Sequence, residues 1–248
     1  MDLLDSYTVV QIAAALGTAF GAAFVRGLAG FGLAIILVPI LALALTPVEA
    51  VLVTNVVAVC IGLSEIRRIL ADSERSALVI GALVVLTTAP GLILLEMTAP
   101  DLARLLIALV ALSAFAAVLF PVRPADLPGP ATTTTVGVAC GLLTGYAGMP
   151  GPPVVPYYVG RAIPRARAKA SMLLIFTIAA AAGIASGLAI GVMELRLVWL
   201  GVLLFPAVLV GNWLGAKAFG KVSDTLWRSF VAVVLAGAAL AALAKLAF

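Results

Sequence analysis

Histidine is absent from this 248-residue chain, which removes the commonest metal ligand and the commonest general base. Cysteine is almost as scarce. Cys60 and Cys140 stand alone inside apolar segments, where they make neither a disulfide framework nor a thiolate metal site and read as small packing residues. Charged residues are only 10% of the chain against 64% hydrophobic ones, too few to give a soluble domain of this length a polar surface. No acid lies in the middle of an apolar segment, since Glu49, Glu65 and Glu96 all fall at ends, so a carboxylate proton relay has no carrier. An intramembrane enzyme needs a nucleophile with its base, or a metal cluster, and the sequence provides neither. Alternating segments of about ten residues, the mark of a transmembrane β-barrel, are also missing. No cofactor or metal is expected.

What remains is a nearly unbroken series of apolar segments, most of them close to the ~20 residues that cross a bilayer. They fall at 8–25, 33–45, 48–63, 77–95, 102–120, 132–144, 151–160, 170–192, 195–214 and 226–247. This pattern predicts an all-α polytopic membrane protein whose solvent is the lipid bilayer. The N-terminus carries Asp2 and Asp5 rather than a basic region, so the first segment is expected to stay as a helix. Five segments precede a linker at 121–130 whose four prolines forbid a continuing helix, and five follow it. The chain therefore divides into a first membrane repeat at 1–120, a linker at 121–131 and a second repeat at 132–248.

Two short stretches tie the halves together. Gly27, Gly30, Phe31 and Gly32 precede a small apolar run ending at Pro39; Gly145, Gly148, Met149 and Gly151 precede one ending at Pro156. A second proline follows each at the same distance, Pro47 and Pro164. Segments 33–45 and 151–160 are short for a full crossing, and each is read as a broken or re-entrant helix. Whether each such segment crosses or dips and returns, the number of crossings per half stays odd. The halves are then inverted relative to one another, as in alternating-access carriers.

The basic residues set the orientation. With the N-terminus outside, one side of the membrane holds Arg26, Arg67, Arg68, Arg75, Arg123, Arg161, Arg165, Arg167, Lys169, Lys217, Lys221 and Arg228, and the other only Arg104, Arg196 and Lys245. The positive-inside rule then places both termini outside. The net charge of +4 is spent in these short loops and does not point to nucleic acid. Tyr7, Trp199 and Trp227 fall near the predicted interfaces. Gly183, Gly187 and Gly191, and Gly211 with Gly215, form stripes suited to close helix packing.

A glycine-rich break bares backbone N–H groups that hydrocarbon cannot satisfy, and the helix that restarts after it turns its positive end toward the gap. Two such breaks facing each other make a site for a small anion. The candidate binding residues are Gly27, Gly30, Phe31, Gly32, Gly145, Gly148, Met149 and Gly151, with Thr54, Asn55 and Ser171 on the helices after the second prolines. Arg26, directly before the first break, has two readings: it faces a partner or anion at depth, or it snorkels to the membrane edge. The equivalent position in the second half is Thr144. An anion leaving a negative interior gains about 2.3 kcal/mol per charge per 100 mV, so export needs no coupling ion.

The pattern Gly27, Gly30, Phe31, Gly32 and Pro39, its copy Gly145, Gly148 and Pro156, and Pro206, Gly211, Asn212, Trp213 and Gly215 resemble the sulfite exporter family of TauE/SafE type. The likeness runs over nearly the whole chain. It implies a transporter of the bacterial inner membrane that moves sulfite, organosulfonates or related small organic acids. Family breaks often hold runs of three glycines; here Phe31 and Met149 interpose, and Pro150, Pro152 and Pro153 stiffen the second copy. That lining suits an organic sulfonate or carboxylate better than bare sulfite. An anion-selective channel and a small-carboxylate permease are the alternatives, and a homo-oligomer is left open.

Overall fold

The computed structural model describes residues 9–119, 128–159, 161 and 163–218, with isolated positions at 233, 236, 240 and 244. Most of the linker and of the last apolar segment lie outside the described residues, and so do Asp2, Asp5, Tyr7, Arg123, Lys221, Trp227, Arg228 and Lys245. The described residues hold ten helices and no strand: α1 (Val9–Ala29), α2 (Leu33–Ala44), α3 (Pro47–Ser64), α4 (Ile66–Asp72), α5 (Arg75–Met97), α6 (Pro100–Leu119), α7 (Pro130–Ala147), α8 (Gly151–Val159), α9 (Arg165–Ala189) and α10 (Leu195–Ala218).

Local chemistry sets the boundaries. Thr46 caps α3 through a capping box: Glu49 N–H donates to Thr46 Oγ1 at 3.3 Å, and Thr46 N–H donates to Glu49 Oε2 at 2.8 Å, with Pro47 in the first turn. α7 ends on Gly148 in the left-handed region (φ 66°), with Met149 N–H reaching back to the Leu143 carbonyl at 3.2 Å. α1 gives way to α2 through Gly30 (φ 83°) and Gly32 (φ 107°), conformations open to glycine at no steric cost. Both breaks expected at the glycines are present.

Two differences from the sequence reading have simple causes. α9 begins at Arg165, well before the apolar stretch, because a helix released by Pro164 carries Arg167 and Lys169 in its first turns as a polar overhang. α4 is an additional element, seven residues long and interrupted by Arg67, Arg68 and Asp72, held down by the buried Ile69.

α3 and α9 run side by side at the centre, with Val51, Leu52, Val53 and Ile175 fully shielded. Around them the chain exchanges partners: α1 lies along α10, and α5 lies along α7. Both contacts are backbone against backbone. A Cβ on Gly27 or Gly215 would collide with α10 or α1 main-chain atoms, and one on Gly145 or Gly91 would do the same between α7 and α5. Gly211 is packed in the same way, whereas Gly191 sits past the end of α9 at φ 78° with nothing near it, so it is a turn residue and not a packing one.

The outward faces are apolar. Leu78, Leu86 and Leu94 of α5 and Trp199, Val210 and Trp213 of α10 are exposed, as expected of helices that meet lipid. Among the described residues, four helices are long and apolar enough to cross a bilayer: Pro47–Ser64, Arg75–Met97, Ala166–Ala189 and Leu195–Ala218.

Backbone contacts cannot yield as side chains do. Gly27→Val and Gly145→Val should therefore cost about 3 kcal/mol or more each and lower the thermal midpoint in detergent by several degrees. Gly17 in α1 has no neighbour within 4 Å of a would-be Cβ. Gly17→Ala should be neutral, or stabilising by up to about 1 kcal/mol. Equal midpoints for all three variants would contradict this packing.

Candidate functional site

The two short helices start at the same place. α2 opens at Leu33 and α8 at Gly151, and both first turns line one cavity of about 60 Å³. Its other walls are Arg26 from α1, the Asn55 to Gly62 side of α3 and the Leu173 to Ala180 side of α9. A water needs about 10–15 Å³ on this measure, so the space takes a few waters or one small ion and no nucleotide or sugar.

Each helix start brings about half a positive charge to the cavity. The first intrahelical acceptor of α2 is the Gly32 carbonyl, taken by Ile36 at 3.3 Å. The N–H groups of Leu33, Ala34 and Ile35 therefore have no partner within their own helix. α8 is poorer in donors: Pro150, Pro152 and Pro153 have no N–H, leaving Gly151 and Val154 in its first turn. The two ends are alike in direction and unlike in donor supply.

The far ends of both short helices carry cations, which suit the negative end of the dipole. At the end of α2, Arg104 donates from Nε to the Ala42 carbonyl at 2.7 Å and pairs with Asp101 at 2.6 Å. Past α8, Arg161 pairs with Glu74 at 2.7 Å and lies 5.4 Å and 5.5 Å from the ring centres of Tyr157 and Tyr158.

Arg26 is the one charged residue among the described residues that line the cavity, and it is 8% exposed. It is buried and partnered. Nη1 donates to Asn212 Oδ1 at 2.8 Å and Nη2 to Glu65 Oε2 at 3.2 Å, while Asn212 Nδ2 reaches Glu65 Oε1 at 3.4 Å. The close passage of Gly27 against α10 brings Asn212 to Arg26. Asn55 is 3% exposed and lines the cavity, and its amide nitrogen, lying against Gly183 of α9, has no hydrogen-bond partner among the described residues. An unpartnered donor at that depth is costly unless a ligand or water meets it.

Of the residues singled out in the sequence, Arg26, Phe31, Gly32, Asn55, Gly148, Met149 and Gly151 come together around this cavity. Gly27 and Gly145 instead serve the α1–α10 and α7–α5 contacts. Gly30 turns the chain beneath the Lys169 side chain. Thr54 is buried beside Asn55 with its hydroxyl unpartnered, outside the cavity wall. Ser171 donates to the Arg167 carbonyl at 2.9 Å and accepts the Glu74 N–H at 2.9 Å, fixing the start of α5. Thr144, the counterpart of Arg26, bonds the Cys140 carbonyl within its own helix at 2.7 Å.

The sequence reading missed Glu65 and Asn212 as partners of Arg26, and Thr177 and Phe176 as lining residues. Asn212 had a signal, being a polar residue amid an apolar run. Thr177 had none, since threonine is ordinary in such helices.

Among the described residues the wall has one cation, two helix starts, the Asn55 amide and no acid, an arrangement able to hold a small ligand rich in acceptors. Compared with known proteins, the family described as "Sulfite exporter TauE/SafE" matches residues 15–242. No curated protein and no solved structure matches the chain.

Asn55→Leu should remove a buried donor without breaking a hydrogen bond among the described residues. The empty protein is expected to keep or raise its thermal midpoint, by up to about 1–3 kcal/mol of relieved desolvation. Added oxoanions should stabilise this variant less than the native chain. Destabilised empty protein would show that the amide has a structural task.

Proposed function

Because the chain belongs to the TauE/SafE sulfite exporter family, a family of membrane transporters, we propose that it is a secondary carrier exporting small anions by alternating access. Sulfite, organosulfonates and related small organic acids are its substrate class. The observation that carries this reading is the cavity itself: two helix N-termini, Arg26 and Asn55 line a space sized for one small anion. The wall around these donors is apolar, through Phe31, Leu33, Met149 and Phe176. A short organic tail is accommodated there as well as a bare oxoanion.

The exchange of partners between α1–α10 and α5–α7 supports an inverted repeat. In each case the first helix of one half lies on the helix of the fourth apolar segment of the other. Charge supports an orientation. One end of the bundle holds Arg26, Arg67, Arg75, Arg161, Arg167 and Lys169, and the other holds Arg104 and Arg196 beside Glu49, Asp101 and Glu194. With the first end toward the cytoplasm of a bacterial inner membrane, the N-terminus is outside. Export of an anion then runs down the membrane potential.

The test is flux of sulfite and methanesulfonate in proteoliposomes. Saturable flux with counter-exchange is expected of the native chain, and Arg26→Ala should lower it at least about tenfold through loss of a charge-assisted contact. Unitary currents in a planar bilayer would make the protein a channel. Undiminished flux in Arg26→Ala would remove the cavity from the pathway.

A further inference from the structure

The cavity has a neighbour. A wider vestibule of about 560 Å³ is lined by Ser64, Glu65, Arg67, Asp72 and Lys169 among others. Cavity and vestibule follow one another along the same two helices. α3 lines the first with Asn55 and Gly62 and the second with Ser64; α9 lines the first with Thr177 and the second with Lys169; Leu173 borders both. At that junction the Arg26–Glu65 pair crosses, its arginine on the cavity wall and its carboxylate on the vestibule wall.

The two partners differ in their surroundings. The Arg26 side chain is 9% exposed and the Glu65 side chain 33%. A buried guanidinium left without an anion is strongly disfavoured, so Arg26 needs a partner whether or not a ligand is present. Glu65 can leave more easily, because its carboxylate already meets vestibule water. Asn212 holds both groups in register without adding charge.

Resting on the anion-carrier reading of this cavity, the geometry points to Glu65 as a tethered competitor: it occupies Arg26 when the cavity is empty and is displaced into the vestibule by the arriving anion. Arg26 then passes from one carboxylate or oxoanion to another and is unpaired in only a minor fraction of molecules. The Arg26–Glu65 link closes the junction in the empty protein and opens it as the ligand binds. The apparent affinity is the intrinsic one reduced by the fraction of molecules in which Arg26 is free.

Two measurements on the full chain in detergent test this. The first is the Kd for sodium sulfite by titration calorimetry. If Arg26 is free about a tenth of the time, Glu65→Gln should bind about tenfold more tightly than the native chain. Glu65→Ala, which lacks the amide, should shift in the same direction. The second uses Ala58→Cys on the cavity wall, with Cys60 and Cys140 replaced by serine. Its labelling by a small maleimide in the empty protein should speed up several-fold when Glu65→Gln is added. Weaker or unchanged sulfite binding in both Glu65 variants, or an unchanged labelling rate, overturns the competitor role while leaving native anion binding intact. Native protein that binds neither sulfite nor methanesulfonate nor acetate removes the carrier reading, and this inference with it.

Discussion

Hydrocarbon offers no hydrogen bonds, so any backbone group freed within a membrane helix must find its partner inside the protein. That constraint governs the two interruptions after α1 and after α7. Where the chain turns at Gly148, the N–H groups of Gly148 and Met149 return to carbonyls of the helix just ended. Where it turns at Gly30, the N–H returns to Arg26. The groups that cannot be recovered in this way belong to the helices that start next, and both starts lie in the same enclosed space between α3 and α9.

The two halves answer the constraint differently. α2 offers a full first turn of amide donors and has a cation on the preceding residues. α8 replaces most of its donors with proline, which has no N–H to leave bare. Polarity is therefore concentrated on the first-half side, around Arg26 and Asn55, while the second-half side contributes Met149, Phe176 and the stiff proline turn. An oxoanion with a short organic substituent has use for both walls.

Much of this was legible in the residues. Nine of the ten apolar segments match described helices and follow from hydrophobicity alone, the tenth lying mostly outside the described residues, and the paired glycine clusters mark both breaks because few other residues tolerate a positive φ. The chemistry within the breaks was legible only in part. Gly27 and Gly30 are three residues apart and look equivalent, yet one packs a helix pair and the other makes the turn. Nothing local distinguishes them, because the difference lies in α10, far along the chain. Arg26 is a similar case. Its burial depends on Asn212 and Glu65, contacts separated from it by most of the sequence or by a whole hairpin. Ser171 and Thr54 hold matching positions in the repeats, but a nearby loop gives only Ser171 a backbone group to bond. α4 escaped notice because a single stretch of seven residues, interrupted by charges, is too short to show a periodic apolar face.

The crossed pairing of α1 with α10 and of α5 with α7 bears on how such a molecule can move. Main chains that touch through glycine leave no lubricating layer of side chains, so each crossed pair must travel as one piece. Under the proposed alternating access, the pieces able to slide past each other are then assembled from both halves of the sequence. A cut at the proline-rich linker would separate the chain without separating the moving parts.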